Sequence, residues 1–148
     1  MNINCLVDIS GSMAVYGYFF LLFLHGLQKV WSATHPFVFS THLSPVRHQL
    51  AAVDFGQSMQ KILQPEVNWK GGTDIGASLM QFYHGHLRAR SATRAVVIVV
   101  SDGWNRGAPE EMLRAMRLVS GHCRKLIWLN PLMSSSRYEP ICQGMSQA

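Results

Sequence analysis

A doubly wound α/β fold, with a mostly parallel sheet and helices on both faces, is predicted by three features of the sequence. One is the unbroken β-branched run AVVIVV at 95–100. The second is the alternation of strand-like and helix-length segments, and the third is a composition of 48% hydrophobic against 14% charged residues. A strand buried on both faces reads as a continuous Val/Ile run rather than an alternating one. Strands that alternate with helices are joined by right-handed crossovers and therefore run parallel. The 148 residues fit one domain with one core, spanning the whole chain.

The elements follow in order. Ile3 to Ile9 is a short apolar strand, and Met13 to Trp31, rich in Leu and Phe, is of helical length. Pro36 opens PFVFST, an aromatic and β-branched run typical of a strand. A turn is expected around Ser44-Pro45, then one helix from Val46 to Leu63 that Pro65 closes. Lys70 to Thr73 reads as a loop, with Thr73 as cap of a helix from Asp74 to about Arg88. Ala95 to Val100 is the central strand, ended by Asp102-Gly103. Pro109 opens the next helix, with Glu110 and Glu111 at its positive end. Arg124 to Leu129 is the last strand, stopped by Asn130-Pro131. From Tyr138 a short helix is expected.

Composition bounds the function. The net charge of +5 comes largely from helix faces and strand starts between Arg88 and Lys125. No basic run interleaves with aromatics, so a solvated basic surface or an acidic protein partner fits better than nucleic acid. Three cysteines, Cys5, Cys123 and Cys142, are widely spaced with no CxxC pair, which supports neither a disulfide framework nor a zinc site and suits a reducing, cytoplasmic setting. The N-terminus lacks a charged n-region and a cleavage site. Tyr18 to Leu24 (YFFLLFL) is apolar but far short of the ~20 residues needed to span a bilayer, so it reads as a packed helix. P-loop, dinucleotide and EF-hand readings fail because GxxxxGK[ST], GxGxxG and DxDxDG are absent.

Two strands lead into an aspartate, Asp8 after CLV and Asp102 after VIVVS. In an open α/β sheet the ligand site lies beyond the carboxyl ends of the strands, at the point where strand order reverses. Two carboxylates brought together there would repel unless a cation lay between them. Ser10 and Ser12 follow Asp8 in a DxSxS pattern, on a tight turn assigned to Gly11. GGT offers Thr73 on another loop. Asp8, Ser10, Ser12, Thr73 and Asp102 form an all-oxygen set of low charge, which suits Mg²⁺, with Mn²⁺ as the close alternative. Two carboxylates at most neutralise such an ion, while hydroxyls fill positions without quenching its pull on a further anion. A partner's Asp or Glu can complete the shell, and no general base stands beside the site for hydrolysis.

DISGSM at 8–13, KGGTDIG at 70–76 and SDG at 101–103 together resemble the metal-ion-dependent adhesion site (MIDAS) of a von Willebrand factor type A (VWA) domain. SDGWNRG, RKLIWLNPL and YEPICQGM resemble its bacterial CoxE-like branch. The resemblance implies a cytoplasmic, non-catalytic binding module that works with a MoxR-type AAA+ ATPase on the metal centre of carbon monoxide dehydrogenase and related molybdenum hydroxylases. It carries the metal positions onto Asp8, Ser10, Ser12, Thr73 and Asp102, and leaves Asp74 outside the ligand set. Relatives carry a long N-terminal region and a final strand, so a chain truncated at both ends is expected, with an unprotected sheet edge.

Other readings stand beside these. Trp104 is either a core residue or, with Arg106, a partner anchor, since Trp and Arg dominate interface hot spots. Trp128 reads as core. His84 and His86, two apart, are on different sides of a helix and unsuited to share a metal. Ser101 reads as a structural hydroxyl. The rival function is a Mg²⁺-dependent phosphohydrolase of the haloacid dehalogenase type, but that chemistry needs a second Asp two places after the first, where Ser10 stands. A third is a structural remnant too unstable to act.

Overall fold

The computed structural model describes residues 1–63, 72–88 and 94–133. Five strands form one sheet: β1 (Ile3–Asp8), β2 (Thr34–Phe39), β3 (Leu43–Pro45), β4 (Val96–Val100) and β5 (Lys125–Leu129). Their order is β3-β2-β1-β4-β5. β1 pairs in parallel with both β2 and β4, and β4 with β5, while β3 alone is antiparallel. The expected α/β architecture is therefore present. The strand order reverses between β1 and β4, the two strands that lead into Asp8 and Asp102.

Among the described residues five α-helices accompany the sheet: α1 (Ala14–Val30), α2 (Arg47–Leu50), α3 (Phe55–Ile62), α4 (Ile75–Phe82) and α5 (Pro109–His122). A 3₁₀ turn, Gly11–Met13, leads into α1, and α4 continues as a π turn over Tyr83–Leu87. Side chains alternate across a strand, and the sheet obeys this. Leu6, Phe37, Phe39, Val97 and Val99 face α4 and α5, where they meet Ile75, Leu79, Phe82 and Met112. Cys5, Val7, Val38 and Val100 face the other way, against Leu21, Leu24, Leu50 and Ile62 of α1 to α3. Each of the larger of these side chains adds roughly 1.5–3 kcal/mol on full burial.

The structure revises several elements. Val46 to Leu63 is not one helix. It breaks into α2 and α3, because Asp54 takes an extended conformation and caps α3 by accepting from Gln57 N at 2.9 Å. The turn at Ser44-Pro45 is the edge strand β3, too short to leave a periodic signal and ending in a proline that an edge tolerates. Thr73 does not cap α4. Asp74 does, accepting from Ala77 N at 2.8 Å. Gly11 has no left-handed backbone and a Cβ there would meet only open space, so it is not what makes the turn. Positive φ falls instead at Gly72 and Gly103. Pro65, the Lys70-Gly71 half of the loop and the helix expected from Tyr138 lie outside the described residues.

The helical stretch Gly11–Val30 is long and apolar enough to cross a bilayer by length and composition. In the fold it packs on the sheet through Gly17, Leu21 and Leu24, while His25 donates through Nδ1 to Leu50 O of α2 at 2.7 Å.

Candidate metal centre

β1 delivers Asp8 to the carboxyl edge of the sheet with no exposed surface at all. Its carboxylate is held on both sides. Oδ1 accepts from Ser10 N at 2.9 Å, and Oδ2 accepts from Ser101 Oγ at 2.6 Å. Ser101 is the first residue after β4 and also accepts from Gly103 N at 3.1 Å, so the hydroxyl is oriented by one contact to donate to the other.

Asp102 lies two residues beyond β4 rather than at its end, and is 7% exposed. Its Oδ1 accepts from Trp104 N at 3.0 Å, an Asx turn that starts the loop. Asp102 is close enough to act on the ionisation of Asp8. Burial pushes the Asp8 carboxyl above its ordinary range, hydrogen bonds from Ser101 and Ser10 pull it back down, and Asp102 raises it further. No cationic side chain figures among these influences. A buried carboxylate with a like charge beside it is costly unless a proton or cation offsets it.

Beside these carboxylates is a pocket of about 270 Å³ lined by Ser10, Gly11, Ser12, Gly72, Thr73, Trp104 and Arg106. Ser10 Oγ and Ser12 Oγ are 3.4 Å apart. Thr73, 95% buried by its 5% exposure, adds its side chain to the same wall. The structure thus brings Ser10, Ser12 and Thr73 to one pocket, and sets Asp8, which Ser10 contacts, within electrostatic reach of Asp102. The three hydroxyl residues line the pocket wall, and Asp8 and Asp102 do not. Trp104 is 58% exposed at the rim, which rules out the core reading for it. Arg106 lines the pocket too, and lies across Gly72, where a Cβ would come within 2.5 Å of Arg106 Cδ.

Two residues that matter here were not singled out as such from sequence. Ser101 read only as a structural hydroxyl, yet it holds Asp8. Asn105 was passed over, yet its Oδ1 accepts from Ile75 N at 2.9 Å and from Gly107 N at 3.2 Å, and its Nδ2 donates to Gly107 O at 3.2 Å. With Arg106 N donating to Thr73 O at 2.8 Å, this ties the Thr73 loop to the Asp102 loop. No local sequence pattern announces a contact between loops 30 positions apart. Trp128, expected as core, is only partly buried and donates through Nε1 to Ser101 O at 3.0 Å.

Comparison with known proteins places the chain. The profile of the family described as "VWA domain containing CoxE-like protein" matches residues 1–148. The chain belongs to this CoxE-like VWA family. Among solved structures it is similar to proximal thread matrix protein 1 from the mussel byssus. One crystal form shares 18% identity and a TM-score of 0.54 over 87% of this chain and 37% of that one. A second structure of the mussel protein, with a zinc-occupied MIDAS motif, matches with the same values. A third gives 19% identity, a TM-score of 0.53 and coverage of 87% and 36%. At such identity the likeness is one of fold, and this CoxE-like chain spans just over a third of the mussel protein's length. No curated protein matches it.

The donor chemistry fits a hard divalent cation. Among the described residues no three His, Cys, Asp or Glu side chains gather into a metal-holding group. A centre here therefore depends on hydroxyls, as Mg²⁺ and Mn²⁺ tolerate and softer ions favour less. A water takes about 30 Å³, so the pocket has room for a hydrated ion and an incoming carboxylate.

Proposed function

We propose that this CoxE-like VWA domain is a metal-dependent docking module rather than an enzyme. Asp8, Ser10, Ser12, Thr73 and Asp102 would hold Mg²⁺ or Mn²⁺, and the bound ion would supply a positive centre for an Asp or Glu of a partner protein. The observation that carries the reading is Asp8, wholly buried within reach of Asp102, with no cation among the groups that act on it, beside a pocket lined by hydroxyls. A mussel VWA protein with a metal in its MIDAS motif lends support at the level of the fold. Trp104 and Arg106 at the rim would grip the partner beside its carboxylate. Arg can meet a second carboxylate in a bidentate pair and Trp supplies buried contact area.

The partner would be a MoxR-type AAA+ ATPase or the client metalloenzyme, a reading that membership of the CoxE-like family supports. The process is then maturation of a carbon monoxide dehydrogenase-type molybdenum hydroxylase, in the cytoplasm. Calorimetry tests the first step: Mg²⁺ or Mn²⁺ should bind wild type, and Asp8→Ala should abolish it. A pull-down with the co-encoded ATPase tests the second, because binding should be lost in EDTA; full retention in the chelator would overturn the docking role.

The phosphohydrolase reading has less behind it. Ser10 stands where a second acid is required, and its backbone N–H is spent on Asp8 Oδ1. Turnover of aryl phosphates that needed both Mg²⁺ and Asp8 would restore it.

A further inference from the structure

Helix α1 is apolar on its outer face as well as on the face it buries, with Lys29 its one charged residue. Such helices are buried on every side, whereas a helix lying on a sheet at a protein surface shows polar residues outward. Here Gly17, Leu21, Leu24 and His25 make up the buried side, toward the sheet and α2. At 3.6 residues per turn, Val15, Phe19, Leu22, Phe23, Gly26 and Val30 share an arc of about 100° on the opposite side. Val15 is 65% exposed, Phe19 and Phe23 62% each, and Val30 83%. Tyr16 and Tyr18 flank the strip, also exposed. Only 28% of the apolar window of this helix is buried in the fold.

We infer that this outer face of α1 is the interface of a two-fold homodimer, in which the α1 helices of two chains pack antiparallel. The area decides in favour of a second copy. The exposed fractions of the strip amount to on the order of 700 Å², beyond the 300–600 Å² of the largest patch on an ordinary monomer and close to the ~800 Å² per partner of a stable interface. An isologous contact needs only a patch complementary to itself, which a plain apolar strip is. Gly26, where a Cβ would meet nothing within 4 Å, lets a facing helix approach its backbone.

Charge argues in the same direction. Lys29 is the one charged residue of α1, near its C-terminal end. Antiparallel packing keeps the two Lys29 side chains at opposite ends and sets the helix dipoles head to tail. Helices that lie in a membrane surface carry a Lys/Arg-rich polar face opposite the apolar one; in α1 that opposite face is occupied by the sheet. Because the Gly11–Met13 turn leads directly into α1, the pairing puts the two pockets at far ends of the assembly, both open. The inference is independent of any metal.

Sedimentation velocity on the 148-residue chain, from about 1 to about 100 µM, tests it. The expected result is a reversible species of twice the 16.6 kDa chain mass. Phe19→Glu with Phe23→Glu should weaken association by at least about 100-fold, as loss of central aromatic anchors does. A second test does not depend on that variant's folding: in a Cys123→Ser, Cys142→Ser background, Val15→Cys mixed with Val30→Cys should form an intermolecular disulfide. Neither variant should do so alone. A monomer at every concentration, association unaffected by the double substitution in a protein that still melts cooperatively, or Val15→Cys linking to itself would overturn the proposal. So would a monomer that instead co-sediments with phosphatidylcholine–phosphatidylglycerol vesicles.

Discussion

Ser101 Oγ donates a 2.6 Å hydrogen bond to Asp8 Oδ2 across 93 positions of sequence. Asp8 ends β1 and Ser101 directly follows its parallel neighbour β4, and the contact fixes the carboxylate beside the pocket. Ser101→Ala leaves a buried carboxylate oxygen without its donor, at a cost of about 1–3 kcal/mol. Mg²⁺ affinity should fall by roughly 10–100-fold, the usual penalty for losing the partner that orients a ligand. Thermal melts and calorimetric titration, run on the same preparations, read both effects.

Asp8 itself should make metal-free stability depend on pH. Burial, the largest cause, raises its carboxyl above the ordinary 3.8, hydrogen bonds from Ser101 and Ser10 oppose this, and Asp102 adds to it. The folded state therefore keeps the Asp8 proton at pH values where the unfolded chain has released it. That contribution is fully present below the unfolded value and is lost as pH rises through the folded one. Asp8→Asn removes the titration, so in EDTA it should melt at a higher temperature than wild type near neutral pH, with a margin that narrows toward about pH 4. Mg²⁺ should raise the melting temperature of wild type and leave Asp8→Asn unmoved. A variant less stable than wild type at neutral pH in EDTA would show that burial of the charge is not what strains the site.

Much of this site was legible before the fold was known, because its parts are local. DISGS and SDG each announce a strand end followed by oxygen donors, and AVVIVV announces the buried strand that carries one of them. What the sequence could not carry was any relation between loops. Thr73 looked like a cap because Thr commonly is one, until Asp74 was found in that role. Asn105 is an unremarkable loop residue until Ile75 N and Gly107 N are placed on either side of it. Trp104 stayed ambiguous because rim and core differ only in what lies beyond the side chain. The break between α2 and α3 depends on the backbone of one residue, Asp54, which hydrophobic spacing does not register.

Gly72→Ala should be costly out of proportion to one methyl group. The backbone there has φ +89°, a region that residues with a Cβ avoid, and the new atom would meet Arg106 Cδ at 2.5 Å. Strain of this kind costs on the order of 1–3 kcal/mol, and the guanidinium must leave its place on the pocket wall. Chemical denaturation should report the destabilisation. Arg106→Ala combined with Gly72→Ala should cost less than the two separate losses added together, since the clash is then gone.

Asn105→Ala separates loop positioning from the ligands. Its side chain joins Ile75 N, at the first turn of α4, to Gly107 N and O, and so holds the Thr73 loop against the loop that carries Asp102 and Trp104. Removing it strands two backbone donors, for a loss of about 1–3 kcal/mol. No proposed ligand is touched, so Mg²⁺ binding should survive but weaken by about tenfold as the two halves of the site lose their fixed spacing. Hydrogen exchange should show the amides of Ile75 and Gly107 losing protection together, while those of β1 and β4 keep theirs. Asn105→Asp offers the opposite control: its carboxylate still accepts from both amides but cannot donate to Gly107 O, so exchange protection at Ile75 should be retained. If Asn105→Ala bound Mg²⁺ as tightly as wild type, the ion would not depend on the two loops being held together, and the pocket would have to be assigned to the Asp8 turn alone.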